Sequence, residues 1–155
     1  MFDPNEFLNT TTTDTNDTKF VNPPDNMAGD SYTGIASKVE VRQWQGKADP
    51  SKSGLALDIV WEIQDESVKT YCGRNVVNVK QGLMLDMTEK GQLDMGKGKN
   101  LNLGKLREAL GLNVSGQPFS FSMIQGRIAG LFVGHRDNEK DPESPFAEVR
   151  KVVKA

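Results

Sequence analysis

The most regular pattern in the chain is the alternation of hydrophobic and polar residues over 55–64, which reads LALDIVWEIQ. Side chains two positions apart share one face of a strand, so this pattern predicts a strand with one side against a core. The residues predicted to face inward are Leu55, Leu57, Ile59, Trp61 and Ile63. A second alternating run covers 75–87, where Gly82 predicts a bulge or a bend, the usual reason for a glycine inside a strand.

Similar patterns predict three further strands. The first covers 32–44, with Ile35, Val39 and Val41 on one face. The last two cover residues 127–136 and 146–154. Together with the two runs above, five main strands are expected.

One short helix is predicted between the third and fourth strands, over residues 103–111. Asn102 is the expected N-cap and Gly111 the expected stop signal. The segment 117–126 alternates like a strand but also fits a short helical or irregular connection.

This order of elements predicts an all-β domain with a short helix. It suits an OB-fold-like, five-stranded Greek-key barrel with the helix between strands 3 and 4. A sandwich is the alternative, although it does not explain a lone helix at that place. The predicted domain covers residues 31–155.

Residues 1–30 differ from the rest in composition and predict an acidic, largely extended or disordered N-terminal arm. They hold six acids and one base, a net charge of −5. Because the whole chain carries −2, residues 31–155 carry +3. Few apolar residues are present to offset the entropy of ordering, so the arm is expected to be anchored, if at all, at Phe7-Leu8 or Phe20-Val21.

The composition bounds the class of protein. No apolar run is long enough to cross a bilayer, and the first residues lack the basic-then-apolar layout of a signal peptide, so an intracellular protein is expected. Cys72 is the single cysteine, which leaves no partner for an internal disulfide and no cysteine-based zinc site within one chain.

Catalytic chemistry is not predicted. His135 is the single histidine, and a hydrogen-bonded or surface role suits it better than that of a general base. The stretch GKGKNLNLGK fails as a phosphate-binding loop, because Lys99 occupies a required glycine position and Leu106 replaces the magnesium-binding Ser or Thr. We expect no enzyme, no cofactor and no metal site.

A binding surface is the remaining prediction. If the alternating hydrophobic residues face inward, cations and aromatic rings are interleaved on the outer side of the sheet and in the first loop. Such a surface suits unpaired nucleotides, since cations follow phosphates and rings stack on bases. The predicted DNA-binding residues are Lys38, Arg42, Trp44, Lys47, Lys52, Asn78, Lys80, Phe132, Arg136 and Arg150.

Several of these residues have a purely structural alternative. Trp44, near a strand end, suits capping of the barrel about as well as stacking on a base. Phe132 suits packing against the arm. Most surface lysines are simply solvated, so each lysine is weak evidence when taken alone.

Several segments resemble a phage-encoded family of single-stranded-DNA-binding-like proteins found among replication and recombination functions. The most specific are LDMTEKGQLDMGKGKN and PFSFSMIQGR, and others are FDPNEFLNTT, RQWQGK and LGKLREALGL. The resemblance implies an OB-fold, no catalytic residues, and a location in the cytoplasm of the infected bacterial host. It also implies single-stranded DNA as ligand, with phage or host replication and recombination proteins as further partners.

Two functions are therefore expected from the sequence. The first is sequence-independent coating of single-stranded DNA during phage replication or recombination. The alternative is an adaptor that docks a recombinase, nuclease or polymerase and binds DNA weakly or not at all. An exposed sheet edge would also allow a homo-oligomer, which the sequence does not specify.

Overall fold

The computed structural model describes residues 3–17, 21–26 and 29–155. Within these ranges five strands form one mixed sheet, which confirms the predicted number of main strands. The strands are β1 (Tyr32–Gln45), β2 (Ser53–Ile63), β3 (Asn78–Met84), β4 (Ile128–Arg136) and β5 (Phe146–Val153). The helices are α1 (Pro4–Phe7), α2 (Glu66–Cys72) and α3 (Leu101–Ala109), with a 3₁₀ helix at Phe121–Ile124.

The sheet closes on itself in the order β1-β2-β3-β5-β4. Neighbouring strands are antiparallel in every case except β3 and β5, which run parallel. The parallel junction consists of one residue pair, Lys80 with Glu148. β3 and β5 pair at no other position among the described residues, so the two strands move apart beyond this pair.

Trp61 lies in the middle of the core and is fully buried, as its place in the β2 alternation predicted. Its indole N–H donates a 2.9 Å hydrogen bond to Oε1 of Gln81, the one polar side chain of the buried core among the described residues. A buried N–H without an acceptor would destabilise the fold by about 1–3 kcal/mol, so Gln81 is an integral part of the packing.

A bulge at Ser37 shifts the two faces of β1. Ala36 lies opposite Trp61, whereas the register is displaced by one residue before Lys38, and the Ser37 hydroxyl bonds to the Val60 carbonyl. A one-residue slip moves every later side chain to the other face. The prediction that Ile35 shares a face with Val39 is therefore wrong: Ile35 pairs with Glu62, on the outer side.

Of the two alternatives predicted at Gly82, a bulge or a bend, the bulge is wrong. Gly82 pairs with Asp58 in a continuous register between β2 and β3. The strand also ends at Met84 rather than at residue 87, and Met87 forms an isolated bridge with Leu93 in the following connection.

The predicted helix is present as α3, with a corrected start. Its N-cap is Asn100, which adopts a left-handed conformation, and not Asn102. Gly111 follows the helix with a φ of +70°, as expected of a residue that stops a helix. Helix α2 was not predicted, although it ends at Gly73 in the same way. The ambiguous segment 117–126 contains the 3₁₀ helix and no strand.

The inner part of the N-terminal segment packs on the sheet, while the outer part does not. Pro23 is buried, and its carbonyl oxygen lies 2.7 Å from Nε2 of His135. Phe7 and Leu8 are 65% and 81% exposed, so they do not anchor the segment. The other predicted anchor includes Phe20, which lies outside the described residues. None of the helices that the structure describes is both long and apolar enough to cross a membrane.

Candidate nucleic-acid interface

Two outer surfaces of the sheet carry the predicted residues. The first, which we call the β1–β3 face, is built from the outward side chains of β1, β2 and β3. Its members are Lys38, Glu40, Arg42, Trp44, Asp58, Val60, Glu62, Asn78, Lys80 and Met84. Cross-strand pairing sets their order, with Val60 between Lys38 and Lys80, and with Asp58 between Glu40 and Gly82.

The cations of β1 on this face are engaged by carboxylates. Nε of Arg42 donates a 2.7 Å hydrogen bond to Asp58 across the strand pair, and this bond raises the pKa of the guanidinium above its usual value. Nζ of Lys38 lies 3.1 Å from Glu40 on the same strand. Both cations are thus partly neutralised before any ligand arrives.

The β1–β3 face has no net charge. Three cations, Lys38, Arg42 and Lys80, are matched by three carboxylates, Glu40, Asp58 and Glu62. Lys80 is the cation of this face for which the described residues provide no ion pair. A neutral surface attracts a polyanion weakly, so this face is less suitable than the sequence indicated.

Trp44 lies at the end of β1 with its indole against the backbone of Gly54 on β2. A Cβ at position 54 would lie 2.9 Å from Nε1, so the ring occupies the space above the glycine. Nε1 is buried and has no hydrogen-bond partner among the described residues. The half-buried ring fits the capping interpretation and keeps part of its surface for contacts.

The first loop holds the two other predicted lysines. Lys47 and Lys52 are exposed, in a turn closed by the hydrogen bond from the Gly46 amide to the Lys52 carbonyl. Asn78 is exposed at the start of β3, opposite Glu62. These residues are accessible, and nothing draws them together into one patch.

The second surface, which we call the β4–β5 face, combines rings and cations at close distance. The Lys151 ammonium lies over the Phe132 ring at 5.8 Å, and the Arg136 guanidinium lies over the Phe146 ring at 5.2 Å. Each pair joins neighbouring strands in register. The members of this face are Phe132, Arg136, Phe146, Glu148, Arg150 and Lys151.

Arg150 lies between the two ring–cation pairs because the chain makes room for it. A register shift leaves Arg150 as an extra residue on β5, and its side chain crosses Gly134 on β4. A Cβ at position 134 would lie 2.6 Å from that side chain, so the glycine allows the crossing. Nη2 donates to the His135 carbonyl at 2.9 Å and lies 3.2 Å from Glu148.

The two faces differ in charge. The β4–β5 face has three cations against the single carboxylate Glu148. Lys80 adjoins it, because Lys80 pairs with Glu148 across the parallel junction. Of the predicted residues, the structure therefore brings together Phe132, Arg136 and Arg150 on one face and Lys38, Arg42 and Trp44 on the other, with Lys80 at the border between the two faces.

Sequence reasoning missed two members of this surface, Phe146 and Lys151. Both lie in the last strand, FAEVRKVVK, where the extra residue at Arg150 disturbs the alternation. The signal that was available is the pairing of one aromatic residue and one cation on each of the two final strands.

The features that would indicate catalysis are accounted for structurally. His135 holds the inner arm through Pro23, with Nδ1 at 4.0 Å from Asp25. Among the residues that the structure describes, no group of three or more His, Cys, Asp or Glu is arranged to hold a metal ion.

Neither the protein-family models nor the curated protein sequences give a match to this chain.

Proposed function

We propose that this protein is a non-catalytic single-stranded DNA-binding protein of phage DNA replication or recombination, and that its sheet is an OB-fold-like Greek-key barrel. The closed strand order and the position of α3 between β3 and β4 support the fold assignment. The phage assignment rests on the sequence segments that resemble the phage-encoded family.

The observation that carries the proposal is the pair of ring–cation contacts on the β4–β5 face. Flat rings stack on unpaired bases for about 1–3 kcal/mol each, and cations beside them neutralise the phosphates of the same strand. In duplex DNA the base faces are stacked inside the helix and are not offered to protein rings. A surface of this kind therefore favours the single-stranded form.

We assign roles on that basis. Arg136, Arg150 and Lys151 contact phosphates, and Lys80 extends the cationic track across the parallel junction. Phe132 and Phe146 stack on bases, with Phe146 the more accessible ring at 46% exposure. Lys38 and Arg42 contribute less than the sequence suggested, since breaking their ion pairs offsets part of what a phosphate contact supplies, and the ion pair of Arg150 with Glu148 lowers the contribution of Arg150 in the same way.

The test is charge reversal on each face. The double variant Arg136→Glu with Lys151→Glu should weaken binding to a fluorescein-labelled oligo(dT) by at least about tenfold at low salt. It should also reduce the slope of log affinity against log salt by about two, one for each lost phosphate contact. Fluorescence anisotropy at several salt concentrations measures both quantities.

The matched control is Lys38→Glu, a charge reversal on the β1–β3 face, which should change the affinity by less than about twofold. A larger loss with the control than with the double variant would move the interface back to the β1–β3 face. A salt-independent affinity, or equal affinity for duplex and single strand, would contradict the proposal altogether.

One observation favours the adaptor function as the second candidate. Helix α1 and its C-cap present Phe7 and Leu8 to solvent beside the acidic residues Asp3 and Glu6, and no residue of the helix is buried. Exposed apolar residues on a tethered segment are typical of a docking motif. If the protein is an adaptor, phage DNA replication should depend on Phe7 and Leu8. The wild type and the Arg136→Glu, Lys151→Glu double variant should then bind DNA with equally low affinity.

A further inference from the structure

A cleft of about 970 Å³ opens where β3 and β5 separate beyond the parallel junction, and α3 forms its third wall. Pockets of this size are typical of small-molecule sites. Apolar side chains line its inner part, and its mouth carries cations together with the carboxylates Glu108 and Glu148. The inner residues are Leu83, Leu106 and Val149, and the cations of the mouth are Lys105, Arg150 and Lys151.

Gln81 offers unpaired hydrogen-bond donors to this cleft. Its side chain lines the cleft although the residue is only 8% exposed. Because an indole N–H is a donor only, the atom that faces Trp61 must be the amide oxygen, which fixes the orientation of the amide group. The amide nitrogen makes no hydrogen bond to the described residues and is not one of the buried unpaired side-chain atoms, so its two N–H donors are open to solvent and to a ligand in the cleft.

Gly104 keeps the cleft open from the side of α3. Glycine in a helix interior is less favourable for helix stability than alanine. A Cβ at this position would meet no atom within 4 Å, so packing inside the protein does not require the glycine. Its effect is to leave the wall of the cleft without a side chain.

We propose that the cleft receives one base of the bound strand, with the acceptor edge of the base on the Gln81 amide. This inference rests on the proposed function. The apolar inner walls suit a flat base, and the donors suit a base carbonyl oxygen. Arg150 and Lys151 belong both to the mouth of the cleft and to the β4–β5 face, so one strand reaches both without a break.

The test is to fill the cleft at its empty wall. Gly104→Phe should weaken binding to oligo(dT) by at least about fivefold, comparable to the loss of one stacked or hydrogen-bonded base. Gly104→Ala adds a single methyl group to the same wall, so it should weaken binding less than Gly104→Phe, and it should raise the melting temperature because alanine is the better helix former.

A second variant addresses the donors. Gln81→Glu keeps an oxygen acceptor for the Trp61 N–H but replaces the amide donors with a carboxylate oxygen, so oligo(dT) affinity should fall by at least about fivefold. Besides oligo(dT), a second ligand is tested, an abasic phosphate strand of the same length as the oligo(dT). Wild type and Gly104→Phe should bind this strand equally, since it has no base to insert.

The outcomes separate the two proposals. If wild type does not bind oligo(dT), the proposed function fails and the cleft has no strand to receive. If wild type binds and the β4–β5 double variant does not, but Gly104→Phe binds as tightly as wild type, the cleft inference alone is overturned. Equal weakening of oligo(dT) and abasic strand by Gly104→Phe also overturns it, because the cleft would then hold the backbone.

Discussion

A single side chain, Asn26, completes the edge of β4 where β1 does not reach it. The β1–β4 ladder ends at the pair Tyr32–Leu131. Beyond that point the Asn26 amide accepts from the Val133 N–H at 2.6 Å and donates to the Leu131 carbonyl at 2.8 Å. The side chain thus takes the place of one residue of a neighbouring strand.

We predict how removal of the Asn26 side chain changes the free energy of unfolding. Asn26→Ala leaves two partly buried backbone groups without partners, so the free energy of unfolding should fall by about 2–3 kcal/mol. Urea unfolding followed by tryptophan fluorescence measures the change. The control is Asn22→Ala, which removes one hydrogen bond, to the Pro145 carbonyl, and should lower stability by about 1 kcal/mol or less. Equal losses would show that Asn26 has no special role.

The sequence does not single out Asn26 for this role. It lies in a segment rich in Asn, Asp and Thr, which predicts an unstructured arm throughout. Only the strand pairing shows that an edge of β4 lacks a neighbour at Val133 and that an amide side chain fits there. The alternation of β2, in contrast, identifies Trp61 as a core residue, because burial on one face follows directly from the pattern.

At the scale of elements, the connection from β3 to α3 is organised by Asn100. Its side chain donates to the carbonyls of Asp86 and Asp94 and accepts from the Asp86 amide, and its own amide bonds to the Asp86 carboxylate. Its φ of +50° lies in the left-handed region, which asparagine tolerates better than most residues. The segment 85–100 is therefore a loop whose two ends are joined by three hydrogen bonds of Asn100, with a fourth to Asp94 inside the loop.

We predict that Asn100→Ala lowers the free energy of unfolding by about 2 kcal/mol, through lost hydrogen bonds and backbone strain. Asn100→Gly loses the same side-chain bonds without the strain and should lose about 1 kcal/mol less. The control is Asn102→Ala at the position first expected to cap α3, which should change stability by less than about 0.5 kcal/mol. Thermal or urea unfolding of the three variants tests the order, and a larger effect at Asn102 would contradict it.

The elements were predicted well where one local signal decides, and poorly where register decides. Five strands and α3 follow from periodicity and stop signals. The bulge at Ser37 has no glycine or proline to mark it, whereas Gly82, which looked like a bulge, lies in an undisturbed ladder. Helix α2 did have signals, with Gly73 as its C-cap and with Val68 and Cys72 buried one turn apart, but it is short and lies in a polar connection.

At the scale of the whole molecule, the acidic segment and the basic sheet are physically separable. Residues 3–17 carry four acids and no base, and their side chains are exposed. Residues 21–26 instead hold the edge of the sheet through Pro23 and Asn26. The negative charge of the arm and its contribution to the stability of the fold thus belong to different parts of it.

Removal of residues 1–17 should therefore tighten binding to oligo(dT) by about twofold to fivefold at low salt, since four negative charges no longer repel the strand. The gain should disappear near 1 M salt, where charges are screened within about 3 Å. Stability should not change. Removal of residues 1–30 should by contrast lower the melting temperature, because it takes away the buried Pro23 and the Asn26 hydrogen bonds. Unchanged affinity at low salt would show that the acidic segment stays away from the binding surface.

The choice between the two faces could not be made from the sequence. It depends on which carboxylates lie opposite which cations, and that order is a property of strand register. From the sequence of β1 alone, Arg42 is predicted to be a DNA-binding cation. Once β2 lies beside β1, its guanidinium forms an ion pair with Asp58. Phe146 and Lys151 are likewise identified only through their contacts with Arg136 and Phe132 on β4.

The closed order of the strands also has a mechanical consequence. Four of its junctions are antiparallel ladders of several residue pairs, whereas β3 and β5 are joined by one pair. Regions with few backbone hydrogen bonds are the first to open, so this seam is the compliant point of the ring. A ligand slightly wider than the cleft beside this junction can push β3 and β5 apart, and the antiparallel ladders of the rest of the sheet do not have to move.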